Sequence, residues 1–343
     1  NIKDKMNSRF RPLQGGIFAK TQKADVGDGV AKFQAAGGEV MAWADPFYPD
    51  PSVPESVKTA MQAALAAGTP SHYTLPIGMP QLRAVAQDIT RRTGLPIDPN
   101  RNVIVTPGSD SGLLYAMMPF LGEGDEVLIP DPSYPSNFLN PKLLGAVPVA
   151  VPLYEADNSQ LRLEKRVTPR TKMVLITHPN NPTTTVFRRE NLEMLCKFIV
   201  EHDLVLVSDQ AFQDHIFDGI EFVHPCTLPG MWERTVTVCS ISKGIGLSGF
   251  RIGYVYACAE IMDTLYGGAV NVLGAPCTLS SIGAIAAVRD RDYLQSNYVR
   301  LERRRRLAYE SFHDIPGVFM RPSESGILSW LNVEKLGTAD EVV

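Results

Sequence analysis

The chain has 343 residues, 44% of them hydrophobic and 20% charged, with a formal net charge of −4. That length suits one large domain with a smaller one, and the balance of charge gives no reason to expect nucleic acid or an anionic membrane as a partner. No apolar run approaches the roughly 18 residues of a membrane-spanning helix, the opening "NIKDKMNSRF" lacks the apolar core of a secretory signal, and five scattered cysteines without a CxxC pair fit a reducing compartment, so the cytoplasm is the expected location.

Residues 1–48 show no regular alternation and are read as an N-terminal arm and part of a small domain. Trp43, Phe47 and Tyr48 there suggest an apolar wall near a site entrance. Residues 49–280 are read as a large domain. From about residue 100, short apolar runs alternate with loops and helical patterns. The runs are Val103–Val105, Glu126–Ile129, Val147–Val151, Met173–Ile176, Leu204–Val207, Val236–Cys239 and Ile252–Ala257. Most are rich in Val and Ile, as strands covered on both faces are. Between them, Phe187–Val200 carries Leu192, Leu195, Cys196 and Ile199 at the spacing of one helix face. The pattern predicts an α/β protein with a mostly parallel, seven-stranded sheet flanked by helices. The stretch Leu161–Lys172 leaves little room for a helix between two strands. Residues 281–343 return to long helices and are read as a small C-terminal domain. The basic run Arg303–Arg306 sits there in a helical segment and reads as a solvated face.

In such a sheet, ligands bind at the carboxyl ends of the strands, so the polar residues after each run are the ones to inspect. After the first run, Gly108, Ser109 and Asp110 open a helix whose N–H groups can bind an anion, although a plain capped helix start looks the same. "DPSYPSNF" places Tyr134 where a ring could stack on a flat group or simply pack. "THPNNPTTT" offers Asn181 as a buried amide or as part of a turn. "VSDQAF" places Asp209 at a strand end, where a buried carboxylate needs a partner.

The stretch "SISKGIGLSGFRIGY" crowds small residues around Lys243 and places Arg251 after it. Gly244, Gly246 and Gly249 form a nominal GxGxxG, but the sequence turns strand-like at once and leaves no helix for a dinucleotide fold. Ser240 and Lys243 form a nominal SxxK without its SDN and KTG companions. A third reading is a lysine that forms a Schiff base with pyridoxal phosphate. That cofactor needs an amine for its aldehyde, a cradle for its phosphate, and a carboxylate at its pyridine nitrogen. Serine hydroxyls and an arginine fork suit the phosphate. In isolation, a surface lysine in a glycine-rich loop would look similar; the strand-end residues decide.

The series "SHYTLPIGMPQLR", "TPGSDSGL", "PDPSYPSNF", "HPNNPT", "SDQAF" and "SISKGIGLSGFRIGY" resembles, in the same order, the fold-type-I pyridoxal-phosphate enzymes of the aminotransferase class I/II family. The likeness covers the chain from about residue 35. It implies that Lys243 is the Schiff-base lysine and proton shuttle, Asp209 the partner of the pyridine nitrogen, Asn181 the donor to the ring oxygen, and Tyr134 the stacking ring. It implies a phosphate cradle of Gly108, Ser109, Asp110, Ser240 and Arg251. Tyr73 resembles the tyrosine that reaches the neighbouring subunit's phosphate, which implies a homodimer. Three positions depart from the pattern: Phe212 where a tyrosine is usual, Thr184 where a glycine is usual, and Ala44 where a glycine commonly faces the substrate.

The resemblance implies transamination between an amino acid and a 2-oxo acid, with no metal. The same scaffold also supports lyase, decarboxylase and oxidase chemistry. A non-catalytic ligand-sensing module is a further alternative, but no helix-turn-helix stretch precedes the domain. Which amino acid is used is not legible; no arginine is convincingly placed for a second carboxylate. The family's arginine for the α-carboxylate lies beyond "GTADEVV", where a helix is starting, so the natural sequence is expected to continue.

Overall fold

The computed structural model describes residues 2–5, 7–10, 28–39, 44–48, 53–83, 85–153 and 163–342. Trp43 lies outside them. Seven strands form one sheet: β1 (Val103–Thr106), β2 (Glu126–Asp131), β3 (Val147–Pro152), β4 (Thr171–Thr177), β5 (Val205–Asp209), β6 (Thr235–Ser240) and β7 (Gly253–Tyr256). Their order is β1-β7-β6-β5-β4-β2-β3. All neighbours are parallel except β7, which runs antiparallel to both β1 and β6. The connection from β3 to β4 contains a 3-10 turn at Leu163–Lys165.

Helices, in chain order, are α1 (Asp28–Ala35), α2 (Glu55–Ala66), α3 (Pro80–Arg83), α4 (Val85–Thr93), α5 (Ser109–Met117), α6 (Pro135–Leu143), α7 (Arg189–Glu201), α8 (Ile241–Gly244), α9 (Ala259–Val272), α10 (Thr278–Arg289), α11 (Arg291–Phe312) and α12 (Ala339–Val342). The alternation of side chains along a strand decides which helix meets which face. In β4, Met173 and Leu175 join Leu113 and Met117 of α5 and Met262 and Leu265 of α9 in one core. Val174 and Ile176 point the other way, to Leu192, Leu195 and Ile199 of α7. Towards β1, the second face is closed by Val57, Leu82, Ile89 and Ala284, from α2, α3, α4 and α10, against Val103, Val105 and Tyr254. A sheet covered on both faces explains the nearly unbroken apolar runs.

After α11, a two-stranded ribbon pairs Phe319 with Asn332 and Met320 with Leu331, as β8 and β9. The segment between them is tied to the large sheet's loops. Phe217 N–H donates to the Glu324 carbonyl at 3.0 Å, and Gly326 N–H to the His215 carbonyl at 2.9 Å. The basic run does not behave as a uniformly solvated face. Arg303 and Arg306 are exposed, but Arg304 donates to the Pro46 carbonyl at 2.7 Å. Arg305 donates to the Ser323 carbonyl and pairs with Asp218. A helix with Leu301 buried beside Phe47 and Phe217 must turn its flanking arginines along the same interface.

Candidate active site

The parallel strands end together, and the polar residues that follow them converge. Asp209, the last residue of β5, is 3% exposed. Its Oδ1 accepts from the Ala211 N–H at 3.1 Å and its Oδ2 from the Thr177 hydroxyl at 3.3 Å. Thr177 is itself fixed by the Asn137 amide, which donates to Oγ1 at 2.8 Å. Burial pushes the Asp209 carboxyl up to about 7, with the charge of Asp110 adding to the effect, while these hydrogen bonds and the Lys243 amine oppose it.

Asp110 lies in the first turn of α5, where the helix dipole favours an anion. Its Oδ2 accepts from the Tyr134 hydroxyl at 3.0 Å. Among the described residues its buried Oδ1 has no hydrogen-bond partner. Such an orphan costs about 1–3 kcal/mol. Tyr134 precedes α6, and burial, with Asp110 beside it, pushes its hydroxyl up to about 12.

Ser240 ends β6 and caps α8, its Oγ accepting from the Ser242 N–H at 3.0 Å. α8 presents Lys243, whose Nζ donates to the Ala44 carbonyl. Burial pushes the Lys243 amine below its ordinary value, and Arg251 acts in the same direction. Asp45 is the carboxylate that opposes this most strongly, ahead of Asp110 and Asp209.

The glycines around the lysine have a steric cause. At Gly253, the start of β7, a Cβ would lie 2.7 Å from the Gly108 carbonyl carbon and the Ser109 nitrogen. At Gly108, which has φ +84°, a Cβ would lie 2.5 Å from Arg251 Nη2. β7 therefore presses on the start of α5 and sets the Arg251 guanidinium over it. Arg251 is exposed, has φ 54°, and donates from Nη1 to the Ser248 carbonyl at 2.9 Å. A helix N-terminus under a guanidinium fork is an anion site.

Lys243, Asp209, Asp110, Tyr134, Ser240, Gly108, Ser109 and Arg251 thus share one end of the sheet. Asn181 stands half-buried beyond the end of β4, and its side chain has no hydrogen bond among the described residues. Its neighbour Asn180 makes the turn, with Oδ1 accepting from the Thr183 hydroxyl at 2.7 Å. Thr184, the position where glycine is usual, has φ 64°, in the left-handed region that explains the preference. Phe212 is 4% exposed and lies against Gly326, where a Cβ would meet its ring at 2.9 Å. Tyr73 stands apart, 97% exposed. Thr177 and Asp45 were not singled out from the sequence. Thr177 has the signal used for the others, a polar residue closing an apolar run. Asp45 has none, because it approaches Lys243 through long-range folding.

This sheet order, with helices on both faces and a lysine in the connection between the antiparallel neighbours β6 and β7, defines the fold-type-I scaffold of pyridoxal-phosphate enzymes. The chain matches the family "Aminotransferase class I and II" over residues 39–343, and it belongs to that family. It is 34% identical over 274 residues to an aspartate aminotransferase of Pyrococcus abyssi, covering 78% of this chain and 70% of that protein. The same identity and coverage relate it to aromatic-amino-acid aminotransferase 2 of Thermococcus litoralis. Among solved structures, an alanine aminotransferase from Pyrococcus furiosus superposes with a TM-score of 0.82 at 27% identity, covering 93% of this chain and 84% of that one. The protein is a pyridoxal-phosphate-dependent aminotransferase acting on amino acids and 2-oxo acids.

Proposed function

We propose that Lys243 is the amine through which this enzyme exchanges amino groups, and that the strand-end cluster around it holds the cofactor. The orphaned Asp110 Oδ1, the near-neutral buried Asp209 and the guanidinium over Gly108 fit a group with a protonated ring nitrogen and a phosphate. Asp209 would face the ring nitrogen. The α5 N–H groups, Ser240 and Arg251 would take the phosphate, Tyr134 would lie along the ring, and Asn181 would donate to the ring oxygen. When bound, pyridoxal phosphate supplies the electron sink that lets a Cα–H bond break heterolytically.

The chain's own groups supply the rest. Lys243 Nζ is held by the Ala44 carbonyl, and its depressed pKa keeps more of it neutral, able to accept the Cα proton and return it. The observation that carries the reading is the half-buried Lys243 amine, held by the Ala44 carbonyl at the same end of the sheet as the buried Asp209 carboxylate that closes β5. Ala44 and Asn181 would border the substrate. Phe212 brings no hydroxyl, which leaves Asn181 as the direct donor to the ring oxygen. Residues 49–280 would form the cofactor domain, with 1–48 and 281–343 contributing to a smaller one. Tyr73 would serve a neighbouring subunit in a homodimer. The four buried cysteines and exposed Cys277, all free, favour the cytoplasm. No helix among the described residues is long and apolar enough to cross a membrane.

Reduction of the holoenzyme with borohydride, followed by peptide mapping, tests the assignment. Cofactor-derived mass is expected on Lys243 and is lost in Lys243→Ala; label on another lysine overturns it.

A further inference from the structure

The turn that carries Asn181 is closed by its own backbone. The Asn180 N–H donates to the Thr185 carbonyl at 2.8 Å, and the Thr184 N–H to the Asn180 carbonyl at 2.9 Å. Asn180 is 2% exposed, and its Oδ1 accepts from the Thr183 N–H at 3.2 Å as well as from the hydroxyl. Thr184 closes the turn at φ 64°. Asp203, Asp218 and Arg251 also have positive φ, but among the described non-glycine residues that do, Thr184 alone is β-branched. A branched side chain is crowded by the backbone in this region, so other contacts must hold it there.

Those contacts come from the segment between β8 and β9. Ser325 is 2% exposed, and its hydroxyl donates to the Thr184 carbonyl at 2.8 Å. The preceding side chain, Glu324, accepts from the Val186 N–H at 2.8 Å and from Arg188 Nη1 at 3.0 Å. Two adjacent side chains thus grip the main chain on either side of Thr185. Their own backbone is fixed in turn by an isolated antiparallel bridge between Ser325 and Ile216, in the loop that leaves β5 after Asp209. The clamp therefore ties the turn after β4 to the loop after β5. Thr184 is itself buried, so removing the Ser325 hydroxyl leaves a buried carbonyl without its partner, and the turn must shift to satisfy it.

We propose that Ser325 is a positioning residue: its hydrogen bond to the Thr184 carbonyl holds the left-handed Thr184, and with it the turn that presents the Asn181 amide to the ring oxygen of the cofactor. The inference rests on the reading of Asn181 as the donor to that oxygen.

The pH midpoint of the holoenzyme's visible absorbance band tests it. An amide that donates to the ring oxygen favours its ionised form, so the proton shared with the lysine nitrogen leaves at lower pH. Asn181→Ala is expected to raise the midpoint by about one pH unit, a tenfold change in proton affinity, and Ser325→Ala by about half a unit. Ser325→Cys keeps the volume but donates weakly, and is expected to raise it too. In the Asn181→Ala background, Ser325→Ala is expected to move the midpoint no further. Thr184→Gly, which takes up φ 64° without steric cost, is expected to reduce the effect of Ser325→Ala; an undiminished effect overturns the part assigned to Thr184. A midpoint unmoved in both Ser325 variants, whatever their melting temperatures, or moved equally with and without Asn181, overturns the role of Ser325 and leaves Asn181 as the donor. A midpoint unmoved by Asn181→Ala overturns instead the reading of Asn181 on which the role rests.

Discussion

Asp209 shows how one side chain can be placed against its own preference. A carboxyl in the unfolded chain titrates near 3.8, whereas in the folded, cofactor-free chain burial lifts it to about 7. Between those values the folded state holds a proton that the unfolded state has lost. Stability therefore falls as pH rises through that window and is flat above it. The penalty at neutral pH is up to about 4 kcal/mol at ~1.4 kcal/mol per pH unit. Asp209→Asn keeps acceptor and shape and removes the titration. In cofactor-stripped protein, denaturant melts from pH 4 to 8 are expected to show the variant gaining on wild type up to pH 7 and not beyond. Parallel curves would mean that Asp209 stays ionised in the folded chain. If the cofactor's ring nitrogen lies beside it, as proposed, the same charge gains a partner, and cofactor binding is expected to offset the penalty.

At the scale of elements, the site rests on the junction of β7, α8 and α5. The backbone of Gly253 touches the backbone at Gly108 and Ser109, so a side chain at 253 has nothing soft to displace. Gly253→Ala is expected to destabilise by about 2–3 kcal/mol, as overpacking does when backbone must move, and to weaken phosphate binding by shifting α5 from under Arg251. Gly249→Ala, where nothing lies within 4 Å, is the matched control and is expected to leave both nearly unchanged. Equal stability of the two variants in thermal melts would mean that β7 and α5 are not in contact. The junction also marks what the sequence does and does not disclose. All seven strands are visible as apolar runs; in six of them both faces are covered, while β3 is a partly exposed edge strand. The reversed direction of β7 is not, since an apolar run has no arrow. The helix start at Ser109 is legible from its strand–loop–helix context, whereas "DPSYPSNF" marks only a place for Tyr134 and not the helix start at Pro135. α8 is a four-residue helix, too short for a periodic signature, and Lys243 had to be found from its small neighbours. Asp45 and the inward turn of Arg304 and Arg305 depend on contacts between distant parts of the chain, which local patterning does not carry.

At the scale of the whole molecule, the exposed tyrosine becomes informative. Tyr73 is 97% exposed and follows His72, whose carbonyl accepts from the Thr278 hydroxyl of α10 at 2.9 Å. The backbone beside it is tethered while its own ring is left in solvent. A tethered ring left in solvent among the described residues suits a site across an interface, as proposed, and Leu75 and Val270, 52% and 59% exposed, offer apolar surface for one. If each site takes its lysine from one subunit and its tyrosine from the other, two inactive variants repair each other. In a mixed dimer of Lys243→Ala with Tyr73→Ala, one site carries both defects. The other combines an intact Lys243 with the partner's Tyr73. Co-expressed, separately tagged and doubly purified, such a dimer is expected to show about half the wild-type turnover per dimer by this site count, against almost none for the Lys243→Ala homodimer. It should also bind the cofactor at its intact site as tightly as wild type, whereas the Tyr73→Ala homodimer binds it more weakly. Turnover and cofactor affinity no better than in the Tyr73→Ala homodimer would place the tyrosine outside the neighbouring site, and a monomer by sedimentation would remove the interface altogether.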